Sequence, residues 1–333
     1  MEKIGWLVND QLSPIKDVRF FWHDLLDWIP NLVDKTGGYT NFEKLTKKIE
    51  NDFDAAEIKP DYIIRNASYF SKINRDIKTI NILQDILPGE GKTRQLEVCQ
   101  NSYLTVFNSQ YTRDCYKEIK SEHRIIPWGI DFDFFKPLGN KEELKKKYNI
   151  LDNSILFIGS TSPVKGFKYV INLIMERKFN FCLVMKNTFE FNMPNCRIFK
   201  KIPHEQLLEV MNACSMLLCL SPIETQHLAG LEAAACGLPI IGRNTGIYYN
   251  RESGPWGINL DKDNYTLQSS KLFNCYGRSA YVKDEGIDFQ KLDKDIKFIL
   301  DNPQNFSPRE YFLKERFDKN TCKNSWLDIV NNI

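Results

Sequence analysis

The feature that most restricts this chain is a repeated alternation between short apolar runs and stretches of helical spacing. Strand-length apolar runs occur at 4–8, 62–65, 79–83 and 104–107, and again at 155–158, 181–185, 197–199, 216–220 and 239–241. Between them lie amphipathic segments. Phe42, Leu45, Ile49 and Phe53 share one face, as do Phe167, Val170, Ile171 and Ile174, and then Leu207, Leu208, Met211 and Cys214. Helices with such a stripe bury one side only. Short strands without strict alternation are buried on both faces, which predicts parallel sheets covered by helices. No repeat of solenoid length is present.

A chain of 333 residues is too long for one small core. It specifies one large α/β domain or two domains of roughly 150 residues each. Proline and glycine concentrate between Pro127 and Asn140, which marks a linker. Lys and Arg number 45 against 43 Asp and Glu, a balance that excludes a dedicated nucleic-acid coat. No apolar run reaches the ~18 residues of a membrane span. The N-terminal segment has no long apolar region of the signal-peptide kind and reads as a first strand. Nine cysteines without a Cys-x-x-Cys pair sit mostly inside apolar runs, as reduced core thiols do. A cytoplasmic location follows as the expectation, with the sequons at Asn66 and Asn264 unused.

Two segments imitate ligand sites. Gly89-Glu90-Gly91-Lys92-Thr93 ends like a phosphate-binding loop, but Ile86 stands where that loop needs its first glycine. A surface turn is expected there. Asp131-Phe132-Asp133 offers two carboxylates to a divalent cation, yet similar triplets recur at 261–263 and 293–295. The four histidines lack zinc-ligand spacing. No metal is expected.

A stronger pattern runs from Ser221 to Pro239. An apolar strand ends at Ser221-Pro222, a small-residue helix is predicted to begin near Gln226 and close at Cys236-Gly237, and Pro239 opens a new strand. The N–H groups of such a helix lie at the carboxyl edge of a parallel sheet, where anions bind. Glu224 lies just before the helix and Glu232 two turns inside it. Burying a carboxylate is costly without partners, so both are predicted to meet water or ligand hydroxyls. The plainer alternative is a helix-start charge and a solvated helical residue. Upstream, a strand ending at Gly159 leads through a loop to Lys165 and a helix, a place suited to a mobile point charge on a diphosphate.

Taken together these segments resemble the family-4 retaining glycosyltransferases. Arg124-Ile125-Ile126-Pro127-Trp128-Gly129-Ile130-Asp131-Phe132-Asp133-Phe134-Phe135-Lys136-Pro137 is similar to the interdomain segment of that family. Residues 157–166 resemble its glycine loop with a following Lys-Gly. Glu224 and Glu232 have its spacing of two glutamates seven residues apart, followed by its Glu-Ala-x-Ala-x-Gly-x-Pro turn. The resemblance covers residues 104–250 well and the first hundred only in general pattern.

It implies an α/β GT-B fold, two Rossmann-like domains facing an interdomain cleft. Residues 1–137 would form the acceptor domain, completed by a terminal helix at 317–333, and 138–316 the nucleotide-sugar donor domain. By resemblance Lys165 binds the donor diphosphate, Gly159 and Ser160 belong to the glycine loop, and Thr225, Gln226, His227 and Leu228 cradle phosphate. Lys201 and Ile202 would lie near the base, Glu232 on the ribose hydroxyls and Glu224 on the transferred sugar. Gln84 and Asp85 stand where the family carries His-Asp on the acceptor side, and glutamine can hydrogen-bond but not act as a base. Ser160 replaces the usual arginine, for which Arg243 could substitute, and Thr225-Gln226-His227 replaces the usual Gly-Phe-Gly.

The implied reaction moves a hexose from a nucleotide-diphosphate sugar to an acceptor hydroxyl with retention, with no cofactor beyond that co-substrate and no metal. The acceptor stays open among glycan, lipid, protein and modified nucleic acid. Two rivals share the pattern: a catalytically reduced sugar-nucleotide-binding protein, and an epimerase or glycogen-synthase-type enzyme of the same fold.

Overall fold

The computed structural model of the chain describes residues 4–8, 11–15, 62–66, 78–87, 89–186, 192–261 and 286–332. The amphipathic segment expected at 42–53, together with Asn264 and Cys275, lies outside them. The chain divides into two compact units, Met1–Trp128 with Lys323–Ile333, and Gly129–Cys322.

The first unit contains β1 (Ile4–Val8), β2 (Gln11–Ile15), β3 (Tyr62–Asn66), β4 (Lys78–Leu83), α1 (Gly89–Gln100), β5 (Leu104–Phe107), α2 (Gln110–Cys115) and β6 (His123–Ile125). Its sheet has the order β2-β1-β3-β4-β5-β6. All pairs are parallel except β1 with β2, which form a hairpin. The sequence pattern did not announce β2 because Pro14 interrupts it. As the edge strand it needs no N–H there on its outer side.

The 89–93 segment is not a surface turn but the first turn of α1. Glycine costs little at a helix start, where the first amides lack intrahelical acceptors in any case. Lys92 reaches Glu118 at 2.8 Å, so its ammonium is held by a carboxylate. Behind this helix Gln95 donates to the Asp85 carbonyl at 3.2 Å, and the Leu87 amide donates to the Tyr116 hydroxyl at 3.0 Å. Those bonds fix the loop that leaves β4.

The second unit runs through α3 (Lys141–Tyr148), β7 (Ile155–Gly159), α4 (Phe167–Glu176), β8 (Phe181–Met185), β9 (Cys196–Lys200), α5 (His204–Ala213), β10 (Met216–Cys219), α6 (Leu228–Ala235), β11 (Ile240–Gly242), β12 (Gly257–Asn259), α7 (Phe289–Asp301), α8 (Pro308–Lys314) and α9 (Lys319–Asn332). The last helix begins in this unit and ends in the first. The sheet order is β12-β11-β10-β7-β8-β9, with every pair parallel. Strand order reverses between β7 and β10, the point at which doubly wound sheets open a crevice for ligands.

Alternate residues of each strand feed two cores, which is why the strands read as unbroken apolar runs. Leu156, Val184, Leu217 and Ile240 pack with Val210 and Met211 of α5 on one face. Phe157, Leu183, Leu218 and Ile241 pack with Val170 and Ile174 of α4 and Ile296 of α7 on the other. Eight described cysteines are free thiols, and all but Cys196 are buried.

Polar staples close the unit. Asp131 accepts the Asp133 and Phe134 amides at 3.0 Å and pairs with Lys319 at 2.5 Å, so its carboxylate is spent on a turn. Arg309 donates to the carbonyls of Phe135 at 2.9 Å, Ala235 at 2.7 Å and Phe132 at 2.9 Å. It thereby ties the end of α6 to the 132–135 segment. Arg309→Ala strands these carbonyls and should cost about 2–3 kcal/mol in urea unfolding. A loss under about 0.5 kcal/mol would mean that water replaces the guanidinium fully.

Candidate functional site at the strand-order reversal

At the carboxyl end of β7, Gly159 still accepts a ladder bond from the Lys186 amide at 2.8 Å. Ser160 then accepts the Ser162 amide on Oγ at 3.3 Å, and a single 3-10 turn spans Pro163–Lys165. Gly166 follows in the left-handed region at φ +67. A Cβ at that position would lie 2.1 Å from the Leu220 carbonyl. Only glycine lets the β7 loop settle onto the end of β10.

That approach brings Lys165 Nζ to 2.7 Å from Glu224 Oε1, across 59 residues of sequence. Glu224 is 8% exposed and Lys165 half-buried. Burial by itself pushes the Glu224 carboxyl up, but the Lys165 ammonium, His227 and the hydrogen bonds from Lys165 and Ser221 outweigh it, and the net shift is down. Burial likewise pulls Lys165 down, and the Glu224 charge reverses the sign. Both groups are ionised at neutral pH.

The helix begins later than its sequence suggests. Thr225 and Gln226 form a bend, and α6 starts at Leu228 with His227 as its N-cap at φ 72, ψ 69. The expected cradle from Thr225 to Leu228 is thus not a helical turn throughout. The Gln226 carbonyl accepts the Ile247 amide at 3.1 Å, and Gly246 packs against the Gln226 and Glu224 carbonyls. These contacts hold the 224–226 backbone out of helical geometry. The first α6 amides, at Leu228 and Ala229, then have no intrahelical acceptor and form the positive end of the helix.

Glu232 lies one turn into α6 and is half-buried. Burial pushes its carboxyl up to about 7. Lys201 and Ile202 follow β9 on the carboxyl edge of the sheet, where Lys201 donates its amide to Met185 at 3.2 Å. Gln84 and Asp85 follow β4 in the other unit, and Gln84 is buried. The structure therefore assembles Lys165, Glu224 and His227 directly, and sets Gly159, Ser160, Lys201 and Ile202 on the same sheet edge.

Arg243 does not take the role left by Ser160. Its Nε pairs with Asp261 and its side chain is only 7% exposed, so the charge is matched by protein. Cys219, Glu224 and His227 hold donor atoms within 4.8 Å of one another, a spacing open to a cation. Lys165 already occupies Glu224, and the Cys219 thiol is pushed up to about 12 by burial. His227 Nδ1 lies 2.6 Å from the Tyr248 hydroxyl. An ammonium in contact with the carboxylate repels a metal ion, and the trio does not fit one. Tyr248 carried no sequence signal, since it lies 21 residues from its histidine in a 3-10 turn.

The fold is of the GT-B type. In fold the chain is similar to sucrose-phosphate synthase from Thermosynechococcus elongatus, at 14% identity and TM-score 0.69, covering 88% of this chain and 79% of that one. It is also similar to HepE of Anabaena solved with UDP and glucose, at 17% identity and TM-score 0.66, covering 89% and 84%. A third likeness is to WaaG, a glycosyltransferase involved in lipopolysaccharide biosynthesis, at 14% identity and TM-score 0.59, covering 88% and 84%. No family profile and no curated protein matches the sequence. Among the described residues no helix is long and apolar enough to cross a membrane.

The half-buried Glu232 has a consequence for stability. Its folded carboxyl titrates near 7 against 4.5 when unperturbed, so the folded state keeps a proton that the unfolded state releases between those values. Stability then falls as pH rises through that window. Glu232→Gln should abolish on the order of 2 kcal/mol of that fall, read from urea unfolding at pH 5 and pH 8. Parallel pH profiles for the two proteins would contradict the assignment.

Proposed function

We propose that this chain is a glycosyltransferase that moves a hexose from a nucleotide-diphosphate sugar to an acceptor hydroxyl with retention at the anomeric carbon. The observation that carries this reading is the Lys165–Glu224 pair beside the start of α6, at the reversal of strand order. A diphosphate placed there meets one ammonium and the positive end of a helix. The sugar then falls next to a carboxylate, and the ribose reaches toward Glu232. The HepE structures with UDP and UDP-glucose support a uridine nucleotide as the first donor to try.

In the reaction the bond from the anomeric carbon to the phosphate oxygen breaks as the acceptor oxygen attacks the same face. The acceptor proton passes to the departing phosphate, leaving a glycoside and a nucleoside diphosphate. Lys165 and the α6 amides stabilise the negative charge that grows on the leaving group. Glu224 stabilises the positive charge that grows on the sugar ring. Gln84 and Asp85 serve the acceptor side, and Lys201 and Ile202 the base. Charge stabilisation by these groups makes a metal unnecessary. The buried free thiols support action in a reducing compartment, the cytoplasm.

Lys165→Ala should lower turnover about 10²–10³-fold and weaken nucleoside diphosphate binding. By the resemblance alone, loss of Glu224 would spare the affinity for the free nucleotide. The ion pair changes that expectation, because Glu224 competes with phosphate for the Lys165 ammonium. Glu224→Gln should therefore bind UDP about three- to tenfold more tightly in calorimetry while turnover collapses. Weaker UDP binding in Glu224→Gln would show that the carboxylate helps hold the nucleotide.

Transfer from UDP-glucose or another nucleotide sugar, followed by mass spectrometry of the products, should proceed in EDTA. Activity lost in EDTA and restored by manganese would contradict the metal-free reading. Nucleotide-sugar binding without transfer or hydrolysis would favour the binding-only protein.

A further inference from the structure

His227 occupies a position that is sterically unusual for its side chain. It is a non-glycine residue in the left-handed region, beside a glycine, Gly230, whose Cβ would lie 2.1 Å from the Tyr248 hydroxyl and 2.5 Å from the His227 Nδ1. Gly242 is constrained by the same ring, since a Cβ there would lie 2.6 Å from Tyr248. Two glycines thus make room for one phenol and the imidazole it meets. Tyr248 is fully buried, stacks on Trp256 with centroids 5.1 Å apart, and cannot swing away. Trp256 is anchored in turn by its indole N–H on the Glu252 carbonyl at 2.8 Å.

The hydrogen bond between Tyr248 and His227 has a defined direction. Burial pushes the phenol well above its ordinary value, so its proton stays on oxygen. Burial, assisted by Lys165 and opposed by Glu224, pulls the imidazole down to about 4, so it is neutral near pH 7. Nδ1, 2.6 Å away, is the hydroxyl's one partner among the described residues. A buried hydroxyl proton without an acceptor is costly. The phenol therefore donates, Nδ1 accepts, and the imidazole proton sits on Nε2.

We propose that Tyr248 is a positioning residue that locks His227 as its Nε2–H tautomer, and that this N–H donates to a phosphate oxygen of the bound nucleoside diphosphate. The inference rests on the donor-site reading given above. Among the described residues at the ends of β7, β10 and β11, Ser160 carries no charge, Arg243 is paired with Asp261, and Lys165 is shared with Glu224, so a neutral donor adds to the single ammonium and the α6 amides. A neutral N–H at the N-cap of α6 adds a donor without placing a second cation against Lys165.

Nitrogen-15 NMR of histidine-labelled protein tests the lock, since the chain has four histidines. The signal lost in His227→Gln identifies the residue. In the wild type it should show an unprotonated Nδ1 and a protonated Nε2, and in Tyr248→Phe a mixture of tautomers. UDP calorimetry tests the ligand. Tyr248→Phe and His227→Gln should each weaken binding about five- to tenfold, and the double variant should be no worse than His227→Gln alone. A phenylalanine fills the same space, and an unchanged melting temperature with lost affinity separates positioning from packing.

A protonated Nδ1 in the wild type, or additive losses in the double variant, would overturn the lock. Unchanged UDP affinity in both single variants, with weaker UDP-glucose binding only, would move the N–H from phosphate to sugar and overturn the phosphate assignment. A wild type that binds neither UDP nor UDP-glucose overturns the donor-site reading and the phosphate role with it, while the NMR result still decides the tautomer.

Discussion

A lysine ammonium 2.7 Å from a buried carboxylate is the contact on which the rest of the second unit's edge depends. Glu224 is the charge that needs the pair: loss of Lys165 leaves it desolvated, at a cost of about 3–5 kcal/mol, whereas the half-buried Lys165 keeps access to water. The pair exists because β7 and β10 are neighbours although α4, β8, β9 and α5 separate them in the chain. It exists also because Gly166 lets the β7 loop rest on the Leu220 carbonyl. Strand order, one left-handed glycine and two charges thus form a single device. Its polar ends face the edge at which a parallel sheet presents helix N-termini.

The same contact makes the free site self-satisfied. Lys165 has a counter-ion within the protein itself. On the donor-site reading proposed above, an entering diphosphate would draw it away from Glu224, and a sugar beside Glu224 would supply the hydroxyl donors that the carboxylate then lacks. Nucleotide and sugar would on that reading support each other's binding, and intact donor would be favoured over spent product.

Much of the second unit was legible because its physics is local. Unbroken apolar runs mark strands buried on both faces, and β7 and β8 lie within a residue of their expected limits. The Lys165 loop and the two glutamates were readable from spacing. What escaped depended on distant contacts. The 225–226 bend is set by Gly246 and Ile247, about 20 residues downstream, so helical propensity placed the start of α6 two residues early. Arg243 has the right charge for a phosphate, and only the fold shows that Asp261 claims it. Tyr248 is an unremarkable aromatic in sequence, and its hydroxyl matters because Gly230 and Gly242 leave room for it. Strand β2 was hidden by Pro14, which is permitted only because the strand is an edge.

The most direct test of this account is a crystal structure of the protein with UDP bound. The diphosphate should lie at the carboxyl ends of β7 and β10, with Lys165 Nζ moved from Glu224 onto a phosphate oxygen and the first amides of α6 facing the other phosphate. A diphosphate bound elsewhere, or bound there while the Lys165–Glu224 contact stays intact, would contradict it.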